Sequence, residues 1–200
     1  MDLAHDSWRT PRLNDYDLHV LAAEHFSKQR YEDAFSIYES LSEKGYVPCQ
    51  VYAGWMLFEG VGITRDRTRG IVFLRQAAER QDSKGMFYLG RALALEGKLQ
   101  EAMLWYKKAA DQVYSPANFR LGLAYLNGSG TQPDRTLGIS YLRKAAESGH
   151  VLAKRELALQ YMSGKCGIDM IPKGLVSFVL VFVSAYRAVS RDQFAEELIG

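Results

Sequence analysis

Two hundred residues are enough for a continuous core in one domain or at most two. Hydrophobic residues make up 48% and charged residues 24%, an ordinary balance for a soluble globular protein. A formal net charge of +2 argues against a nucleic-acid binder or a site for acidic substrates, and two cysteines, Cys49 and Cys166, are too few for a disulfide framework and lack metal-ligand spacing.

The first residues, MDLAHDSWRTPRLNDYD, carry acids early and no apolar h-region. No signal peptide is therefore expected, and the default compartment is the cytoplasm. From about residue 16 a helical pattern begins, with Leu21-Ala22 in a first helix and Ala34 at the start of a second. The same arrangement then returns. YAGWML (52–57) leads into the loop GVGITRDRTRGI (60–71) and the helix IVFLRQAAER (71–80). YLGRAL (88–93) leads through the shorter LEGKLQEA (95–102) into AMLWYKKAAD (102–111), and RLGLAY (120–125) through GSGTQPDRTLGI (128–139) into ISYLRKAAES (139–148). A fifth pair carries Leu157-Ala158 and then Gly174.

The small residue opening each second helix recurs at Ala34, Gly70, Ala102, Gly138 and Gly174, with differences of 36, 32, 36 and 36. A period in this range predicts stacked helical hairpins, none of which can bury its apolar face alone. The two long loops share G-x-G-x-x-x-D-R-T-x-G-I. Their glycines are expected to supply positive φ where the first helix ends. Asp66 and Asp134 are the expected N-caps, with Thr68 and Thr136 competing. These are not dinucleotide loops, because no strand precedes them and the third glycine is misplaced.

The pattern A/G/C-x-x-x-L-G-x-x-Y/L, then G-x-G, then a helix ending Y-L-R-K-A-A-E-S-G, resembles the Sel-one-like repeat family of the tetratricopeptide-like superfamily. The match rests on Ala117, Leu121, Gly122, Tyr125, Gly128, Gly130, Tyr141 to Ser148 and Gly149. It is strongest over 47–149 and weaker over 150–186. Residues 16–45 and 81–112 are more like plain tetratricopeptide hairpins. The resemblance implies an all-α fold, an α-α superhelix or solenoid of about five hairpins over 16–190. An N-terminal extension (1–15) precedes it and a tail (191–200) follows. It also implies an adaptor that binds protein partners.

A helical wheel on residues 47–59 turns Cys49, Ala53, Gly54 and Leu57 toward the packed side and Val51, Trp55 and Phe58 away from it. Equivalent positions later in the chain are Phe87, Arg91 and Ala94, then Phe119, Leu123 and Leu126, then Arg155, Leu159 and Met162. By resemblance these line a concave surface. Two readings stay open: the side chains bury against one another in a tight superhelix, or they form an apolar groove for an amphipathic helix or extended peptide. In the second reading Trp55, Phe87 and Phe119 are the anchors, and Arg91 and Arg155 meet acidic groups. Arg75, Lys107, Lys108, Arg143 and Lys144 read as solvated outer-face residues diluted by Glu79, Asp111 and Glu147.

Chemistry-bearing residues are sparse. His5, His19, His25 and His150 are scattered, and no carboxylate or cysteine completes a metal set around them. His150 is expected at the surface, in an inter-repeat turn. Cys49 shares a small-residue column with Gly85, Ala117 and Ala153 and is expected in the core. Cys166 aligns with Gly62 and is expected to be an accessible thiol. No catalytic set, cofactor or metal site is expected, and Glu196-Glu197 is ordinary terminal charge.

The last stretch, GLVSFVLVFVSAYRAV (174–189), has 13 uncharged residues from Gly174 to Tyr186, short of the roughly 20 needed to cross a bilayer as a helix. Phe178, Val181 and Phe182 match inward Leu74, Ala77 and Ala78. Val179, Leu180 and Val183 instead replace Arg75, Gln76 and Glu79 on the outward face, where a terminal repeat should be polar. Three covers stay open: the tail through Phe194, Leu198 and Ile199, a second copy or other protein, or a membrane. The leading expectation is a non-catalytic, cytoplasmic scaffold that binds protein partners through the groove. The alternative is a membrane-peripheral or homo-oligomeric assembly factor acting through 174–189, touching a membrane protein or lipid. The resemblance also raises β-lactam hydrolysis, a property of cysteine-rich secreted members, which one cysteine per outer repeat does not support.

Overall fold

Residues 13–164 and 170–184 are described by a computed structural model of the chain. Nine helices are bounded at both ends: α1 (Asp15–Ser27), α2 (Tyr31–Glu43), α3 (Val47–Glu59), α4 (Arg67–Glu79), α5 (Ser83–Leu95), α6 (Leu99–Asp111), α7 (Ser115–Asn127), α8 (Arg135–Glu147) and α9 (Val151–Met162). Residues 171–184 form a further helix, α10. No strand occurs among the described residues. The architecture is all-α, an α-α superhelical repeat in which sequence neighbours pack: α1 on α2, α2 on α3, α3 on α4, α6 on α7, α7 on α8 and α8 on α9. By contacts the chain divides into two units, Met1–Leu89 and Gly90–Gly200, the division falling within α5.

Local signals set the boundaries. Asn14 and Asp17 form a reciprocal capping box at the start of α1. Pro48 and Pro116 stand in the first turns of α3 and α7, where a missing N–H removes no helical bond. Gly60 and Gly128 end those helices with φ of 76° and 71°, a backbone that a Cβ would strain. Asp66 and Asp134 then cap the partner helices, each accepting from the N–H three residues on, at 3.0 Å from Arg69 and 2.9 Å from Leu137. The aspartates win over the threonines.

In the second, fourth and fifth hairpins the two helices touch at backbone level. A Cβ at Gly70 would stand 2.8 Å from the Gly54 carbonyl oxygen. One at Gly138 would stand 3.0 Å from that of Gly122, and one at Gly174 2.9 Å from that of Ala158. The column of small residues is thus a column of close approaches, and it places α10 in register as the partner of α9. Buried Leu74 and Leu142 press on Gly54 and Gly122. In the first unit the core gathers Ala22, Ala34, Tyr38, Leu41, Cys49, Ala53, Met56, Leu57 and Phe73. In the second, Leu142, Ala145 and Ala153 are buried beneath Phe119, Leu126 and Leu157.

One expectation fails at the end of the fold. Phe182, matched with inward Ala78, is 70% exposed. The position suits alanine because the helices lie close there, and a phenylalanine ring has no room inside and turns outward. Val179 and Leu180 are also exposed, and Val183 is half-buried. Residues 185–189 of the apolar stretch, and Phe194, Leu198 and Ile199, lie outside the described residues.

Candidate functional site

The face turned away from the hairpin contacts separates into buried and accessible residues. In the first unit Val51, Phe58 and Phe87 retain only 5%, 4% and 8% of their surface. Phe58 lies under the Arg67 guanidinium, 5.4 Å from its ring centre, and Phe87 packs edge-on to Tyr88 at 5.3 Å. Trp55 is half-buried, bracketed by Phe26 at 5.8 Å and Tyr88 at 6.5 Å.

The second unit is more open along α7 and α9. Phe119 is half-buried beneath the His150 ring, stacked at 4.6 Å and 27°. Leu123 is half-buried on a cleft of about 260 Å³, with Tyr106 and Arg120 on its walls. Arg91 is half-buried, while Arg155 and Leu159 are exposed.

Beside Trp55 the structure assembles a cluster that the wheel on α3 alone could not show. The His19 ring lies 5.9 Å from Tyr38, 5.6 Å from Tyr46 and 6.0 Å from Tyr52. Tyr38 and Tyr52 stack at 5.0 Å and 10°. Tyr52, Tyr16 and Val20 present exposed apolar surface on α1 and α3. The available signal was the repeat itself: α1 is the first helix of a hairpin, as α3 is, so its residues belonged on the same wheel.

His19 also meets Cys49, with Sγ 3.4 Å from Nδ1. A cysteine–histidine pair invites a nucleophilic reading, and the environment removes it. Cys49 is fully buried, and desolvation, then the charge of Asp15, pushes its thiol up to about 12. Burial first, and Lys84 second, lower the His19 pKa and keep the ring neutral. The thiol therefore stays protonated and the contact is a weak hydrogen bond inside the aromatic cluster. Among the described residues no three His, Cys, Asp or Glu side chains are placed to hold a metal. Cys166 lies outside the described residues.

His150, expected in a surface turn, is half-buried and holds two roles. Besides covering Phe119, its Nδ1 accepts the Ala153 N–H at 3.2 Å and so caps α9. Of the basic residues on the second helices, Lys107, Lys108, Arg143 and Lys144 are exposed and Arg75 is half-buried. Lys108 lies over Trp105 at 4.1 Å, Lys144 over Tyr141 at 5.3 Å and Lys107 over Tyr125 at 5.8 Å, so their stems cover rings rather than forming a bare cationic ridge.

The Sel1 repeat signature matches residues 47–82, 83–114 and 115–150, more than half of the chain. The chain belongs to the Sel1 repeat family. The chain superposes on a Sel1 repeat protein of Oxalobacter formigenes with a TM-score of 0.71, at 22% identity over 83% of this chain and 72% of the other. It also resembles c5321, a protective antigen of uropathogenic Escherichia coli with the same repeat fold, at TM-score 0.72, 25% identity and 88% and 38% coverage. In sequence the chain is 26% identical over 153 residues to the chitin synthase regulator SKT5 of Saccharomyces cerevisiae, covering 70% of this chain and 22% of that one. The first curated relatives it matches are spanned by this chain over only about a quarter of their length, 27% and 22%. Sel1 repeats generally serve as non-catalytic protein-interaction scaffolds. No helix among the described residues is long and apolar enough to cross a membrane.

Proposed function

We propose that this Sel1 repeat protein is a non-catalytic cytoplasmic scaffold that engages a protein partner through the accessible part of its first-helix faces. The observation that carries this reading is the aromatic surface of the first unit, where half-buried Trp55 lies one turn from exposed Tyr52 on α3 and Tyr16 and Val20 are exposed on α1. Rigid aromatic rings in packed surroundings are the side chains that dominate protein interfaces. In the second unit Phe119, Leu123 and Leu159 offer apolar contacts, and Arg91 and Arg155 suit an acidic or amphipathic segment. Val51, Phe58 and Phe87 support this surface from beneath. A free thiol at Cys49 accords with a reducing compartment. The likeness to a chitin synthase regulator fits a protein that acts on others rather than on a small substrate.

The test is affinity capture from the native host, followed by titration of the identified partner. Trp55→Ala is expected to cost about 2 kcal/mol, about thirtyfold in Kd, with unchanged helicity. Equal affinity for Trp55→Ala and for Leu159→Asp would remove both surfaces from the reading. A second reading rests on exposed Leu175, Val176 and Val179: an assembly factor that meets a second copy, a membrane protein or lipid through the outer face of α10. Light scattering and vesicle flotation of wild type against Val179→Arg separate it from the first.

A further inference from the structure

Besides the apolar replacements on its outer face, the fifth hairpin departs from the repeat at the cleft of about 530 Å³ among α8, α9 and α10. The corresponding cleft among α2, α3 and α4 lies 104 positions earlier, and six of the twelve wall residues have a counterpart on its walls. In the earlier cleft Phe73 provides an aromatic wall, Gln76 lies on the rim, and Arg80 closes the edge by donating to the Gly45 carbonyl. The counterparts are Ser177, Leu180 and Ser184. The seventh residue of the second helix is Ile37, Phe73, Trp105 and Tyr141 in the first four hairpins and serine in the fifth. The fifth hairpin thus lacks the large side chain of the first four, and Ser184, like Ser148 in the fourth, stands where the second has Arg80.

Charge changes at the same place. In the first unit Arg69 pairs with Glu39 at 2.5 Å. Their counterparts are Lys173 and Arg143; Arg143 continues the basic column of Arg75 and Lys107, and Lys173 adds a second cation beside it. Both are drawn to Tyr161: Arg143 donates to its hydroxyl at 3.3 Å, and the Lys173 ammonium lies 5.7 Å from its ring centre. Lys154 stands where the first unit has buried Gln50, and Glu147 is the single acid on the walls. Three cations against one acid, around an apolar floor of Leu157 and Val181 that lacks its ring, describe an aromatic and acidic occupant.

The chain itself contains such a segment. Residues 190–199, SRDQFAEELI, carry Phe194 with Asp192, Glu196 and Glu197 against one Arg191, and Phe194 lies ten residues beyond Ser184 on the cleft wall. Ten residues reach up to about 33 Å, ample for a return. We infer that residues 190–199 dock in this cleft, that Phe194 supplies the ring absent at Ser177, and that Glu196 and Glu197 answer Lys173, Arg143 and Lys154. The outer face of α10 at Leu175 and Val179 stays open, so the inference is independent of the partner surfaces proposed above.

Hydrogen exchange on the full chain tests it, with a peptide of residues 188–200 as the unprotected reference. Amides of 192–199 are expected to exchange at least about tenfold more slowly in the protein, at concentrations where light scattering shows a monomer. Phe194→Ala, and separately Ser177→Phe, which fills the space from within, are expected to return them to the peptide rate while α3 and α7 keep their protection. Glu197→Lys is expected to weaken protection and Lys173→Glu to restore it. Peptide-like rates in wild type, protection that survives both Phe194→Ala and Ser177→Phe, or protection confined to a dimer would each overturn the inference, the last in favour of a second copy.

Discussion

Gly70→Ala tests whether the repeat is held by backbone contact. The new Cβ would stand 2.8 Å from the Gly54 carbonyl oxygen, 2.8 Å from the Phe58 nitrogen and 3.0 Å from the Phe58 Cβ. Two of these are main-chain atoms inside α3 and cannot rotate away. Alanine in place of glycine in a helix gains about 1 kcal/mol, and forcing a methyl into a packed contact costs about 1–3 kcal/mol. The clash is expected to win, leaving a net loss of up to about 2 kcal/mol. For a chain of this size that is a fall of up to about 8 °C in Tm. Urea and thermal denaturation followed by far-UV circular dichroism read the change directly. Gly138→Ala and Gly174→Ala meet carbonyl oxygens at 3.0 Å and 2.9 Å and are expected to act in the same direction. If Gly70→Ala were as stable as wild type or more so, helix propensity would have outweighed the contact, and the column of small residues would need another explanation.

Acid is expected to weaken the fold through two histidines. Burial first, then Arg120, lowers the His150 pKa below its ordinary 6.5, and burial and Lys84 do the same at His19. The unfolded chain then binds more protons than the folded one, so this stability is complete above about pH 6.5 and is lost as pH falls through the lowered folded values. The urea midpoint should drop between about pH 7.5 and 5.5, less so in His150→Asn, which can cap α9 without titrating; a midpoint that rises on acidification contradicts the assignment. In a Cys166→Ser background Cys49 should react with a thiol reagent no faster than the protein unfolds, because burial holds the thiol near 12; reaction within seconds in native buffer would mean that the site is open. Asp134→Ala removes the bond to the Leu137 N–H and is expected to cost about 1 kcal/mol, whereas Thr136→Ala should change little if Asp134 is the cap.

Much of this fold is legible in the sequence because each hairpin repeats the same local devices. Gly60 and Gly128 must be glycine for their backbone angles, Asp66 and Asp134 must accept from a helix start, and Gly70, Gly138 and Gly174 must let two helices touch. Those requirements act over a few residues or across one hairpin, so they leave a mark at fixed spacing. The candidate surface was less legible for a physical reason. A wheel gives the direction of a side chain from its own axis, and burial depends on what the neighbouring axis brings. Phe58, which the wheel turns away from the packed side, lies against Gly70 and Arg67 of α4, and Phe87 is buried edge-on to Tyr88. The contacts of His19 with Cys49 and of His150 with Phe119 join helices of neighbouring repeats, and no spacing within one repeat reports them.

The fifth hairpin shows how a departure from the repeat becomes informative. Gly174 still meets the Ala158 carbonyl, so the backbone contact that defines a hairpin is kept. What changes are side chains that face the cleft: a position held by Ile37, Phe73, Trp105 and Tyr141 becomes Ser177, and Lys173 adds a cation beside Arg143. Loss of packing alone would predict small or polar replacements without regard to charge. Lys173 does not fit that pattern: it places a second cation beside Arg143 at Tyr161, and like charges so close destabilise the folded chain unless an anion joins them. The ring absent from the wall and the acids that its three cations lack are both carried by residues 190–199, as Phe194 and as Glu196 and Glu197. A single segment thus meets both deficits, which is why the charge exchange between Glu197 and Lys173 is the arm of the experiment that most directly separates docking of this segment from unspecific cover of an apolar face.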